Sequence, residues 1–198
     1  MKGILVLTAV LCSLSVGAFI TQNLAIKQNK EQASAKVQIS EKAQFSEGAN
    51  AGNKAYGMKV DPIDKEKLQS IIKNRNGKAL LINVWASWCG PCREEFPDLV
   101  KLGNDYKGKD LDIIGLSVDD KKEVESKVIP FLKEQKANFT IYINGFKKDS
   151  DLIEFFDKKW QGEIPVTLIY DSKGNRKAFL VGMQDYKSFK KEVDAAMK

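Results

Sequence analysis

Leu81-Ile82-Asn83-Val84-Trp85-Ala86-Ser87-Trp88-Cys89-Gly90-Pro91-Cys92 is the stretch that decides the fold of this 198-residue chain. The run from Ala79 to Trp85 is short and nearly all apolar, which predicts a strand buried on both faces. Two cysteines, two residues apart, follow where that strand feeds a helix. The first turn of a helix has N–H groups without intrahelical partners and carries the positive end of the helix dipole. A thiol placed there is stabilised as the thiolate, the form that attacks disulfides. Lowering a thiol pKa from about 8.5 to about 7 raises the thiolate fraction at neutral pH from a few per cent to about half. The spacing lets the second sulfur reach the first across one helical turn and resolve a mixed disulfide.

Outward from this turn the pattern alternates. The helix opened by Cys89 is predicted to run to Tyr106, with a kink at Pro97, and Leu111 to Val118 reads as a second buried strand. Lys121 to Gln135 has helical spacing, bent or split by Pro130. Phe139 to Ile143 alternates as a strand, and Asp149 to Trp160 puts Leu152, Phe156 and Trp160 on one helical face. Val166 to Tyr170 and Lys177 to Val181 read as strands joined by Asp171-Ser172-Lys173-Gly174, a hairpin turn with glycine where positive φ is favoured. A final amphipathic helix carries Tyr186, Phe189 and Val193. On the N-terminal side, Asp61-Pro62-Ile63-Asp64 predicts a helix start, with a capping Asp and proline at the first helical position. That helix has Leu68, Ile71 and Ile72 on its apolar face and ends at Asn76-Gly77. The predicted order is αβαβαβαββα, an α/β fold whose sheet is mostly parallel with an antiparallel hairpin at one edge.

Composition narrows the chemistry. Histidine is absent, which removes Ser-His-Asp and Cys-His nucleophile pairs and every metal site that needs imidazole. Cys12, Cys89 and Cys92 are too few for a disulfide-stapled scaffold or a four-thiolate zinc site. The formal net charge is +6, from 32 Lys+Arg against 26 Asp+Glu. Lysines alternate with acids, as in Asp64-Lys65-Glu66-Lys67, so the surface reads as solvated and no nucleic-acid partner is expected.

Met1 to about Lys27 carries an apolar run that fits either a secretion signal, with small residues at Val16-Gly17-Ala18, or a retained membrane anchor. Both put the remainder outside the cytoplasm. Cys12 follows the large Leu11, so it reads as an apolar residue of that segment rather than a lipid-bearing cysteine. Residues 28–57 are polar and poor in large apolar side chains, and read as a tether. Residues 58–198 form the folded domain.

The quoted stretch resembles the active-site strand and motif of thioredoxins, and more narrowly the TlpA/ResA-like extracytoplasmic thiol–disulfide oxidoreductases. The resemblance covers the chain from about Val60 onward. It includes Pro97 in the helix, Ile164-Pro165 at the place of the family's cis-proline loop, and Gly182 after the hairpin. The strand and helix between Phe139 and Trp160 suit the TlpA/ResA branch, as an insertion into a thioredoxin-like fold before that loop.

The resemblance implies roles. Cys89 is then the exposed nucleophile and Cys92 the buried resolving thiol; Gly90 and Pro91 lie between them. Trp88 flanks the sulfur, and the backbone of Ile164, beside a cis Pro165, pairs an extended substrate. The alternative for Pro165 is an ordinary trans proline opening a strand. Asn83 stands where cytosolic thioredoxins have a buried acid, and Glu95 matches a glutamate that the branch places three residues after the second cysteine. Glu95 is either a proton-transfer group for Cys92 or a solvated acid within Arg93-Glu94-Glu95. No metal and no cofactor are expected.

The implied function is reduction of disulfides in client proteins, with a membrane-embedded thiol donor recharging a monomeric enzyme. Apocytochromes c, and so cytochrome c biogenesis, are a client class by analogy. Gly90-Pro91 is the dipeptide associated with potentials near about −270 mV. A disulfide oxidase or isomerase remains the alternative, followed by a non-catalytic binding module. A peroxidase reading lacks the Thr-x-x-Cys arrangement, and a copper carrier lacks Cys-x-x-x-Cys and histidine.

Overall fold

The computed structural model describes residues 59–198. The segments read as signal or anchor (1–27) and tether (28–57) lie outside the described residues. The elements run β1 (Asp61–Ile63), α1 (Lys65–Lys73), β2 (Ala79–Trp85), α2 (Gly90–Asp105) and β3 (Leu111–Ser117). A 3₁₀ turn (Lys121–Glu123), a π-helical turn (Val124–Val128) and α3 (Ile129–Glu134) follow. The chain closes with β4 (Thr140–Asn144), α4 (Asp149–Phe156), β5 (Val166–Tyr170), β6 (Arg176–Val181) and α5 (Tyr186–Ala196).

The six strands form one sheet in the order β1-β4-β3-β2-β5-β6. β1, β4, β3 and β2 pair in parallel, whereas β5 is antiparallel to β2 and β6 antiparallel to β5. This is the mixed sheet of a thioredoxin-like fold, with the antiparallel hairpin at one edge as the sequence predicts. Alternation along β2 builds both sides of the core. Leu80, Ile82 and Val84 pack with Leu68 of α1 and Leu152 and Phe156 of α4. Ala79 and Leu81 pack with Leu99 and Leu102 of α2 and with Phe189 and Val193 of α5. Trp85, at the end of β2, meets Phe96 and Phe131 with ring centroids 4.9 and 5.2 Å away. That aromatic cluster lies directly beneath the turn that carries the cysteines.

Several boundaries differ from the sequence expectation. Asp61-Pro62-Ile63 is an edge strand, not a helix start. Pro62 lacks an N–H, which an edge strand tolerates, while Ile63 is fully buried. The cap of α1 is Asp64, whose Oδ1 accepts a hydrogen bond from the Lys67 N–H at 2.8 Å. Lys121 to Gln135 is split as anticipated around Pro130, but its first part winds as 3₁₀ and π turns. Pro97 sits inside α2 without ending it. β4 buries three consecutive side chains instead of alternating, because both faces of the sheet are covered there: Tyr142 packs in one core and Ile141 in the other. α4 stops at Phe156, four residues before Trp160. Arg176 donates to the Phe156 carbonyl and pairs with Asp157, both at 2.7 Å, closing the helix there. Trp160 is nevertheless buried, its indole N–H donating to the Glu163 carbonyl at 2.9 Å.

Candidate active site

Cys89 is the N-cap of α2, in extended backbone conformation, with Pro91 in the first helical turn. Its sulfur is bonded to Cys92 and accepts a hydrogen bond from the Cys92 N–H at 3.2 Å. This is the contact that would stabilise a thiolate at this position once the disulfide is reduced. The Ile164–Pro165 peptide is cis, and the Ile164 carbonyl oxygen lies 3.8 Å from the Cys89 sulfur. Strand β5 therefore begins beside the sulfur pair, although Ile164 is 75 residues downstream of Cys89.

Cys92 is fully buried, while Cys89 is 6% exposed. The expectation of an exposed Cys89 is not met: in the disulfide form both cysteines are buried. In the disulfide its sulfur turns toward Cys92, and the Ile164 loop closes one side of it. The exposed parts of the site are Trp88, at 62%, and the Gly90-Pro91 dipeptide. An open groove of about 450 Å³ lies beside Trp88, lined by Arg93, Lys127, Pro130, Phe131 and Glu134.

Glu95 is not a solvated acid: it is 2% exposed. Its Oε1 accepts from the Asn83 Nδ2 at 2.7 Å, and its Oε2 accepts from the Gln184 N–H at 2.8 Å. Asn83 also donates to Thr167 Oγ1, its register partner on β5, at 3.0 Å. Burial pushes the Glu95 carboxyl up from 4.5 to about 7, against the two hydrogen bonds, which favour the charged form; the charge of Asp98 adds to the upward push.

Sequence reading missed three features. Asp119, after the end of β3, holds the turn before Cys89 through Ser87. Val181 and Met183 are 49% and 52% exposed and flank Gly182, whose N–H donates to the Pro165 carbonyl at 2.8 Å. Gln184 anchors Glu95 through its backbone, which no side-chain pattern can reveal. The apolar pair around Gly182 had a signal, since both are large residues next to a glycine matched to the family. Among the described residues no cluster of three or more His, Cys, Asp or Glu side chains could hold a metal ion. No described helix is long and apolar enough to cross a membrane.

Comparison with known proteins agrees with this geometry. The AhpC/TSA family model matches residues 51–178. The chain is 28% identical over 149 residues to the thioredoxin-like protein YneN of Bacillus subtilis, covering 74% of this chain and 81% of that protein. It is 29% identical over 133 residues to a thiol-disulfide oxidoreductase ResA of Bacillus cereus, covering 67% and 70%. A thiol:disulfide interchange protein of the thioredoxin family from Chlorobium tepidum TLS superposes with a TM-score of 0.54 at 26% identity, covering 66% of this chain and 85% of that one. The match to ResA bears out the resemblance read from the cysteine motif. With its cysteine pair at the head of a helix and a cis proline alongside, the chain belongs to the AhpC/TSA family and has its thioredoxin-like fold.

Proposed function

We propose that this chain is a thiol–disulfide oxidoreductase that reduces disulfides in client proteins outside the cytoplasm. The observation that carries the reading is the Cys89 sulfur at the N-cap of α2, accepting the Cys92 N–H and lying beside the cis Pro165 loop. In the reduced enzyme the Cys89 thiolate attacks one sulfur of a client disulfide. The client S–S bond breaks, and its other sulfur leaves as a thiolate and takes a proton from water. Cys92 then gives up its proton and attacks the Cys89 sulfur. The client departs with two thiols, and the enzyme holds the Cys89–Cys92 disulfide. Two electrons have passed to the client; a membrane-embedded dithiol donor then reduces the Cys89–Cys92 disulfide by the same exchange and is itself oxidised to a disulfide.

Glu95 serves as the group that takes the Cys92 proton, since burial holds it near neutrality. Trp88, Gly90 and Pro91 form the docking surface with Val181 and Met183, while the Ile164 carbonyl pairs the client backbone. Residues 1–27 direct or anchor the chain at the membrane, residues 28–57 space it away, and residues 58–198 work as a monomer. Neither a cofactor nor a nucleic acid takes part. The Gly90-Pro91 dipeptide favours the reducing direction, and apocytochromes c are one client class that the resemblance implies.

Cys92→Ser tests the reading directly. It is expected to accumulate clients as mixed disulfides on Cys89, whereas Cys89→Ser captures none. Failure of Cys92→Ser to capture any thiol-linked protein would leave a non-catalytic role. Equilibration with a glutathione buffer tests the direction: a potential close to about −120 mV would make the protein an oxidant instead.

A further inference from the structure

The geometry points to Asp119 as a positioning residue for the thiol chemistry, acting through Ser87 to hold Cys89 at the mouth of α2. This inference rests on the reading of Cys89 as the attacking sulfur. Asp119 is a buried carboxylate outside the cysteine motif. Its Oδ2 accepts from the Ser87 N–H at 2.9 Å, and its Oδ1 accepts from the Ser87 hydroxyl at 2.6 Å. The Ser117 hydroxyl donates to Oδ2 at 2.7 Å, and the Asp119 N–H donates back to Ser117 Oγ at 3.0 Å. The carboxylate is thus fixed to the end of β3 and grips both the backbone and the side chain of one residue in the active-site turn.

Ser87 is pinned on its other side too. Its carbonyl accepts from Arg93 Nη1 at 3.2 Å, and the Arg93 guanidinium lies over the Phe131 ring at 4.6 Å. The Arg93 N–H donates to the Cys89 carbonyl at 3.1 Å, and the Cys89 N–H donates to the Ala86 carbonyl at 3.2 Å. The turn Ala86–Cys89 is therefore held by β3 through Asp119 and by α2 through Arg93. An N-cap sulfur gains its hydrogen bond only where the turn aims it at the Cys92 N–H. A clamp two residues upstream sets that aim.

The sign of one measurement separates a clamp from a mere neighbouring charge. Removing a nearby anion favours a thiolate and lowers its pKa, whereas loosening the turn weakens the Cys92 N–H contact and raises it. The charged groups near the active-site turn are Arg93 and Glu95 on α2, Lys127 and Glu134 lining the groove beside Trp88, and Asp119. Only Asp119 loses its charge in the variants below.

The experiment follows alkylation of Cys89 against pH in the reduced protein, for the parent and for Asp119→Ala, Asp119→Asn and Ser87→Ala. Asp119→Ala and Ser87→Ala are expected to move the midpoint up by about half to one pH unit. Asp119→Asn keeps an acceptor for the Ser87 N–H and an amide that can donate to the Ser87 hydroxyl, so it is expected to return the midpoint to the parent value or below. If Asp119→Ala does not fold, Ser87→Ala and Asp119→Asn carry the comparison. A midpoint that is unchanged or lowered in Ser87→Ala, and in Asp119→Ala where it folds, overturns the inference, even if thermal stability drops. The parent profile keeps the two claims apart: if Cys89 in the parent shows no depressed midpoint, the catalytic reading fails, not the clamp.

Discussion

A carboxyl group that already accepts two hydrogen bonds and is still pushed up to about 7 must be losing more by burial than the donors return, and Glu95 is in that position. Two consequences follow. If Glu95 takes the Cys92 proton, decay of a Cys89-linked mixed disulfide accelerates as pH rises through about 7. Glu95→Gln is then expected to remove that limb and slow the decay by about 10²-fold or more at pH 8, read by single-turnover kinetics. Stability carries the same signature. The folded protein binds the Glu95 proton more tightly than the unfolded chain, so the unfolding free energy falls as pH rises from about 4.5 to about 7, by roughly 3 kcal/mol. Urea melts of Glu95→Gln against pH are expected to lose this slope. The pairing of Cys89 with Cys92 was legible from two residues and a helix start, because thiol chemistry needs nothing more local. The fate of Glu95 was not, since its burial depends on Asn83, twelve residues upstream, and on Gln184, 89 residues downstream.

At the scale of elements, continuous apolar runs announced themselves: β2, β3 and β5 each bury nearly every side chain and are bounded by turn residues. Short or mixed elements did not. β1 has three residues, two of them Asp and Pro, and those are also the residues that open helices; only its partner β4 reveals it. The end of α4 was misplaced because Trp160 continues the helical spacing, while the interaction that stops the helix comes from Arg176 on β6. The β5–β6 turn shows a constraint of the opposite kind. Gly174 has φ of +82°, and a Cβ there would lie 2.4 Å from the Ile72 carbonyl oxygen of α1. Gly174→Ala combines an unfavourable left-handed conformation with a backbone clash, and it is expected to lower stability by about 1–3 kcal/mol, read from the denaturant midpoint. The cysteine chemistry should survive in the fraction that remains folded.

Across the whole molecule, two separate segments bring large exposed apolar side chains to the region of the cis proline: Trp88 in the turn before α2, and Val181 at the end of β6 with Met183 beyond the glycine whose N–H meets Pro165. Met183→Glu is expected to slow reduction of a protein disulfide about tenfold more than reduction of a small aromatic disulfide, since only the larger substrate spans the rim. Equal slowing of both would place Met183 outside the docking surface. At the opposite border of the sheet, Asp61, Pro62 and Ile63 lie against Tyr142, Ile143 and Asn144. They act as a hem. A fragment trimmed to begin at Asp64 keeps both sulfurs but leaves the outer rim of β4 unstitched, a template onto which a second copy can zip. Light scattering of that fragment should grow with concentration, while the version that retains Asp61–Ile63 stays monodisperse.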